Sequence, residues 1–281
     1  MFKKALLPLL CSAAIVGCGS SSHSDSNDTD LSLDNDVFVL SEGTFTLRKS
    51  LGNVIFTKGD ETSDPLALDV GFGSGAYHRQ GDAKNVFYTV TDRGPNIKCK
   101  DAESVFGIVD FCPEGGDKIF PQPEFTPAIY KIKLTQSDEG AYGYEVLEEI
   151  RLKNASGIEI TGLTNDLTAT DTEVSIGIDG KQVSFDNEGL DTEAIVRLQD
   201  GSYWLTDEYG PSLIHVAEDG RIIKRIVPVS VAADLASADY PVEGLLPDIL
   251  KKRKLNRGIE SIALSPDESY LYFSMQSPLA L

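Results

Sequence analysis

The chain is poor in the side chains that most often carry metal, redox or base chemistry. Its 281 residues include three histidines and four cysteines, too few for a histidine-rich metal site or a cysteine zinc cluster. There is no Arg-His-Gly motif of the histidine phosphatases. Positive charge is also scarce: 25 Lys and Arg stand against 44 Asp and Glu, a formal net charge of −19. A chain of that sign repels nucleic acid and anionic surfaces, which excludes a nucleic-acid partner, and it suits cations. An anionic substrate would need a bound metal or a local basic patch to reverse the field. Long amphipathic helical patterns are scarce, and the sustained apolar run from Ala5 to Val16 is too short to span a bilayer as a helix.

That run follows Lys3 and Lys4 and leads into "IVGC", Ile15 to Cys18. The basic–apolar–small order is that of a secretory signal, here residues 1–17. The last four residues resemble the lipobox of bacterial lipoproteins, which implies cleavage before Cys18 and lipid on Cys18. The alternative is an ordinary cleaved signal. Residues 18–35 then form a tether, polar and rich in Gly, Ser and Asp, with nothing to bury. On this reading the protein meets a membrane only through its lipid, in the bacterial cell envelope. For a Gram-negative source, Gly19 after the cysteine implies the outer membrane. The mature chain keeps 23 basic and 44 acidic residues, a charge of −21.

With Cys11 in the signal and Cys18 lipidated, Cys99 and Cys112 remain. In an oxidising compartment an isolated pair at that spacing is expected to form a disulfide. No histidine or further cysteine lies nearby to make them metal ligands.

Residues 36–281 read as one all-β domain. Short β-rich runs such as "VFVL" (37–40), "NVIFT" (53–57), "VFYTVT" (86–91), "AIYKIKL" (128–134) and "VSIGI" (174–178) are punctuated by Gly, Asp, Asn and Pro. The clearest unit is 193–227: "EAIVRL", "YWLTDE", "LIHVA" and "RIIKRIVP" are strands separated by "QDGS", "YGPS" and "EDG". Asp-Gly between β-runs is a strong hairpin signal. Four consecutive strands make an up-and-down sheet of the size of a β-propeller blade. The unit recurs without gaps 67 residues on: "EAIVRLQDGSYWLTDE" (193–208) matches "ESIALSPDESYLYFSM" (260–275), with Glu193 on Glu260, Asp200 on Asp267 and Tyr203 on Tyr270. "FYTVTDRGPN" (87–96) echoes "YWLTDEYGPS" (203–212). The expected fold is a β-propeller of four-stranded antiparallel blades, preferred over a sandwich because each repeat holds a complete meander. "VEGLLPDILKKRKLNRG" (242–258) suits a short helix after Pro247 and carries the one dense basic patch, Lys251 to Arg257. The chain stops at Leu281 just after a strand. The expectation is a fragment, or a ring whose final blade is completed by strands from 37–57.

"DRGPN" (92–96), "KIFPQPEFTPAIYKIKL" (118–134), "TGLTN" (161–165), "GLDTEAIVRLQDGSYWLTDEYGPSLIHVAEDGR" (189–221) and "NRGIESIALSPDESYLYFSMQSPL" (256–279) together resemble the bacterial phytase-like family, whose members are often called "esterase-like activity of phytase" proteins. The resemblance implies a β-propeller and a hydrolase of phosphate esters. It also points to calcium, which propeller phytases use to bind and bridge phosphate. Members of the family continue beyond "MQSPL", which again implies a fragment.

The acids supply candidate chemistry. Asp186, Glu188, Asp191 and Glu193 precede or begin one strand, and Asp207 and Glu208 end the next. A hairpin brings these ends together; Glu260 repeats Glu193, and Asp92 repeats Asp207. Side chains alternate along a strand, so Asp207 and Glu208 cannot face the same way. The expected metal ligands are Asp191, Glu193, Asp207, Glu208 and Glu260, an oxygen-rich set that suits Ca²⁺. The expected catalytic residues are Asp92, Arg93, Glu193, Asp207 and Glu208. The competing reading has these acids capping turns. Among the cations, Lys98 and Lys100 lie in the cysteine-bounded loop and Arg253 and Arg257 in the basic run. Arg93 is the expected contact for an anionic or ester substrate, against a salt bridge to a neighbouring acid. Two other functional readings stand beside the metal-dependent hydrolase. One is a non-catalytic propeller that binds a ligand or protein. The other is a metal-independent serine esterase using Ser74, set in "GFGSGAY" (71–77), with His78 or His215.

Overall fold

A computed structural model describes residues 46–280. The signal segment, Cys18, the tether and "VFVL" lie outside the described residues. Strand dominates what is described; helix is confined to Ala102–Phe106 and to 3₁₀ turns at Cys99–Asp101 and Asp248–Lys252. The all-β expectation holds.

Two larger sheets and a hairpin frame the molecule. The first sheet consists of β1 (Gly75–Tyr77), β2 (Val86–Val90), β3 (Ala128–Gln136) and β4 (Tyr142–Arg151), paired antiparallel in chain order. Segment 91–127 is an insertion between β2 and β3. The second sheet holds β5 (Thr192–Arg197), β6 (Tyr203–Asp207), β7 (Ser212–Val216) and β8 (Ile222–Pro228), the meander expected from the Asp-Gly turns. A fifth strand, β9 (Val242–Leu246), adds parallel to β8. The hairpin is β10 (Ile259–Leu264) with β11 (Leu271–Met275).

The short helix expected after Pro247 is present as a 3₁₀ turn, Asp248–Lys252, and the residues before it form a strand. Val242–Leu246 is strand because the edge of β8 offers it a ladder, and Gly244 lets the two chains touch: a Cβ there would lie 3.1 Å from Val229. Pro247 cannot donate to that ladder, and only the short 3₁₀ turn follows it.

The repeat is real but slips by one residue. β5 and β10 correspond, and each carries a bulge at its acid, between Thr192 and Ile195 and between Ile259 and Ser261. The return strands do not correspond residue for residue. Arg197 pairs with Tyr203, whereas Leu264 pairs with Leu271, so the second turn is one residue longer. Tyr270 is the extra residue. It is 65% exposed, whereas Tyr203 is 1% exposed, so the match of these tyrosines was a coincidence of spacing.

β5 packs against β1, β2 and β10. The main core joins the two sheets through Tyr88 and Val90 of β2, Ile195 of β5, Tyr203 and Leu205 of β6, and Ile214 and Val216 of β7. Tyr88 and Tyr203 meet edge to face at 5.9 Å, so the echo between β2 and β6 reflects facing strands of adjacent sheets. A second core gathers Phe56, Phe111, Ile119 and Ile176. It is stapled by the expected disulfide between Cys99 and Cys112, with Cα atoms 5.7 Å apart.

Candidate metal centre

The start of β5 and the ends of β2 and β6 converge. The bulge in β5 sets Glu193 and Ala194 against Thr206 alone, and bulges characteristically re-aim a side chain. The Glu208 amide donates to the Asp191 carbonyl at 3.0 Å. The Thr192 hydroxyl donates to the Thr91 carbonyl, and the Arg93 amide donates to Asp191 Oδ1 at 3.1 Å. Residues 91–93 are thereby stitched to 191–193.

The result is a knot of carboxyl groups. Asp191, Glu193 and Glu208 each present an oxygen within 4.8 Å of the others. Asp191 and Glu208 are buried and Glu193 is half-buried. Glu260, on the β10 bulge, reaches the Glu208 carboxyl. Burial raises all four above the usual carboxylate range. For Asp191 the rise is large, opposed by Arg93 and reinforced by the charges of Glu208, Asp92 and Asp207. For Glu193, burial and then the charges of Asp191, Glu260 and Glu208 push it up to about 10. Burial is also the first cause for Glu208 and Glu260. Without a cation, burial and the neighbouring acids oppose ionisation across the cluster, and Glu193 keeps its proton in neutral water. A divalent cation competes for the same lone pairs.

The cations already at the site do not balance the acids. Arg93, 5% exposed, donates to Glu173 at 2.7 Å and lies 3.0 Å from Asp191 and 3.5 Å from Glu208. It also donates to the Asn256 side-chain oxygen and lies over the Tyr209 ring, 5.3 Å from its centroid. The expected role of Arg93 as an anion contact is therefore corrected: its guanidinium is enclosed by carboxylates of the chain itself. Lys118 lies 3.5 Å from Glu173 and donates to Asn256 at 2.9 Å. Burial, and then the charge of Arg93, lowers its pKa. Asp191 Oδ2 is buried without a hydrogen bond, although Arg93 Nη2 lies nearby. All the donors are hard oxygens, the chemistry of Ca²⁺ or Mg²⁺ rather than of a thiophilic metal.

Asp207 and Glu208 do face opposite ways. Glu208 joins the cluster. Asp207 pairs with Arg225 at 2.7 Å, both wholly buried, and accepts from Ser212 at 2.9 Å and from the Asp191 amide at 2.8 Å. It supports the site from behind and lies outside the trio of ligand atoms. Asp92 accepts from the Gly94 amide at 2.9 Å in an Asx turn, and its charge is felt by Asp191 and Glu193. Asp186 and Glu188 hold turns: Asp186 accepts from Thr161 at 2.6 Å, and Glu188 accepts from Asn154 at 3.1 Å and from the Asp239 amide. Lys100 is exposed within the disulfide loop, and Lys98 is exposed just before Cys99, outside it. Arg253 is buried and donates to the carbonyls of Tyr209, Lys254 and Asp171.

The serine arrangement does not assemble. His78 Nδ1 contacts the Val86 carbonyl at 2.7 Å. His215 contacts Ser202 at 3.0 Å and stacks on Trp204. The Ser202 hydroxyl donates to Asp200 at 2.6 Å, so the serine sits between acid and histidine, the reverse of a triad. Among the described residues no histidine bonds Ser74.

Several contributors escaped the sequence reading: Glu173, Lys118, Asn256 and Tyr209, and three glycines at backbone contacts. A Cβ on Gly162 would lie 2.0 Å from the Arg93 carbonyl oxygen, on Gly189 1.9 Å from that of Leu163, and on Gly258 2.3 Å from Glu208 Cα. The "TGLTN" and "NRGIE" motifs were the available signal; each places a glycine where backbone touches backbone.

Comparison with known proteins gives the family. The phytase-like family, described as "Esterase-like activity of phytase", matches residues 70–281. The chain belongs to the phytase-like family. The matched span of this phytase-like chain covers every residue of the acid cluster and of its supporting network. An "Uncharacterized secreted protein" of Arthroderma benhamiae is 25% identical over 163 residues, covering 48% of this chain and 31% of that protein. The alignment thus spans about a third of the relative's length. No solved structure matches. A secreted relative and a disulfide agree with a location outside the cytoplasm.

Proposed function

We propose that this phytase-like protein is a metal-dependent hydrolase of phosphate esters, with its cation held by Asp191, Glu193 and Glu208 and bordered by Glu260. The observation that carries the reading is three carboxyl groups within 4.8 Å, whose ionisation is opposed by burial and by one another's charge. Calcium is the proposed ion, since every candidate ligand is an oxygen. A bound divalent cation would offset phosphate charge and acidify a bound water. The chain's own part is orientation. Arg93 fixes Asp191 and Glu208, and Asp207, locked by Arg225, fixes the Asp191 backbone. Sheets β1–β4 and β5–β8 and the hairpin β10–β11 are read as blades of a β-propeller, with the cluster at one end of their inner strands. Residues 36–281 form that domain, tethered in the bacterial envelope through lipid on Cys18.

A second reading is a non-catalytic binding propeller. It is favoured by the clefts: the cleft bounded by Lys49, Gln122, Tyr130 and Glu149 has a volume of about 180 Å³ and does not include the cluster. The two readings separate in one experiment. Purified mature protein is expected to cleave an aryl phosphate or phytate with Ca²⁺ and to lose that activity with chelator or Glu193→Gln. Calcium-dependent melting without cleavage under any divalent ion would favour the binding module. Cleavage of aryl acetates without metal, lost in Ser74→Ala, would favour the serine esterase.

A further inference from the structure

Arg93 cannot meet a substrate anion, because its donors are already turned to Glu173, Asp191, Glu208 and Asn256. The other cations around the cluster are committed too. Arg225 is paired with Asp207. Lys118 is buried against Glu173 and Asn256. Arg253 points into backbone carbonyls. An acid-lined site that takes an anion still needs a positive group at its mouth, since a bound cation alone leaves the surrounding carboxylates in surplus.

One arginine meets that need. Arg257 lies between two residues that touch the cluster. Asn256 accepts from both Arg93 and Lys118. Gly258 donates to Glu208 at 3.4 Å, and a Cβ on it would lie 2.3 Å from Glu208 Cα. The turn is fixed by the left-handed backbone of Asn256, at φ 56°, a conformation asparagine tolerates better than most residues. Arg257 is exposed and, among the described residues, makes no hydrogen bond and no ion pair within 4 Å. Its charge reaches Glu260, where it favours the ionised form against the burial that opposes it.

We propose that Arg257 is the substrate-anion contact of this site, its guanidinium forking onto the phosphate group of an ester held over the Asp191–Glu193–Glu208 cluster. The proposal rests on the phosphate-ester reading and sharpens it. Recognition would sit on the "NRG" turn rather than on the "DRG" turn, and the enclosed Arg93 would act only on the carboxylates. An exposed, unpaired guanidinium suits this task because it presents parallel N–H donors that match two phosphate oxygens.

The test titrates inorganic phosphate into the full mature protein with and without saturating Ca²⁺, following heat or intrinsic fluorescence. The proteins compared are wild type, Arg257→Ala and Arg257→Lys, with calcium affinity and melting temperature measured on each. Arg257→Ala is expected to weaken phosphate binding about tenfold or more, the scale of a lost charged hydrogen-bond pair. Its melting temperature should stay at the wild-type value, and its calcium affinity should change far less than its phosphate affinity. Arg257→Lys should recover part of the loss, because it restores the charge without the fork. In turnover, the Arg257 variants should raise KM and leave kcat nearly unchanged. Phosphate binding equal in wild type and Arg257→Ala would overturn the assignment even if calcium binds and supports cleavage. Conversely, absence of calcium binding in wild type would defeat the metal reading alone. Phosphate titrated without metal would then still decide for Arg257 if the alanine variant binds more weakly, and against it if the two are equal or neither binds.

Discussion

Glu193→Gln should stabilise the metal-free protein at neutral pH while weakening its hold on calcium. Glu193 has an ordinary carboxyl value of 4.5 when unfolded and one of about 10 when folded. Between those values the folded state carries a proton that the unfolded state has lost. Stability from this group is therefore fully present below about pH 4.5 and falls as pH rises. Each pH unit in that window removes about 1.4 kcal/mol, so the loss between pH 5 and pH 7 is about 3 kcal/mol. Glutamine mimics the protonated form and does not ionise on unfolding, so the variant escapes the loss. In a domain of this size, 3 kcal/mol corresponds to about 6–12 °C in Tm. The assay is thermal melting of wild type and variant in chelator at pH 5 and pH 7. Taking the difference between the two proteins cancels the contribution of the histidines. The variant should gain on wild type by that margin between pH 5 and pH 7. Added calcium should reverse the ranking, since the cation replaces the proton in wild type and stabilises it by mass action. A difference between the proteins that does not change with pH would refute the argument that Glu193 is buried among like charges.

Four further outcomes follow from the same geometry. Asp207→Asn should destabilise the fold by about 3 kcal/mol or more by leaving Arg225 buried without its counter-charge. Glu208→Gln, one residue on, should mainly weaken calcium binding, and calorimetric titration with chemical denaturation separates the two. Removing the Cys99–Cys112 bridge by Cys→Ala substitution at both positions should cost about 3 kcal/mol, from the loop it closes, and should lower the denaturant midpoint. Gly189→Ala should abolish soluble folded protein or lower Tm steeply, because its Cβ would fall 1.9 Å from the Leu163 oxygen.

The part of the design legible in the sequence was the part carried by local pattern. Asp-Gly turns predicted the β5–β8 meander because glycine at those points frees the backbone. Alternation along a strand predicted that Asp207 and Glu208 would diverge, and the disulfide followed from compartment and isolation. What stayed hidden depends on partners far away in the chain. Nothing near Arg93 announces that Glu173 and Asn256 will enclose it, so its exposure could not be read from "DRGPN". The coincidence of Tyr203 with Tyr270 misled because an extra turn residue changes register without changing composition. The strand at Val242–Leu246 was hidden because the edge of β8, and not its own propensity, makes it a strand.

The span of the Arg93 contacts has a consequence for time rather than for affinity. Arg93 meets Glu173 across 80 residues, Asp191 across 98 and Asn256 across 163. Contacts that close such long loops tend to be completed late in folding, after the hairpins around them have formed. Interactions absent from the transition state act on the rate of escape from the native state. Arg93→Met should therefore speed the unfolding arm of a chevron far more than it slows the refolding arm. The internal ion network thereby governs how long the folded chain lasts before it unfolds.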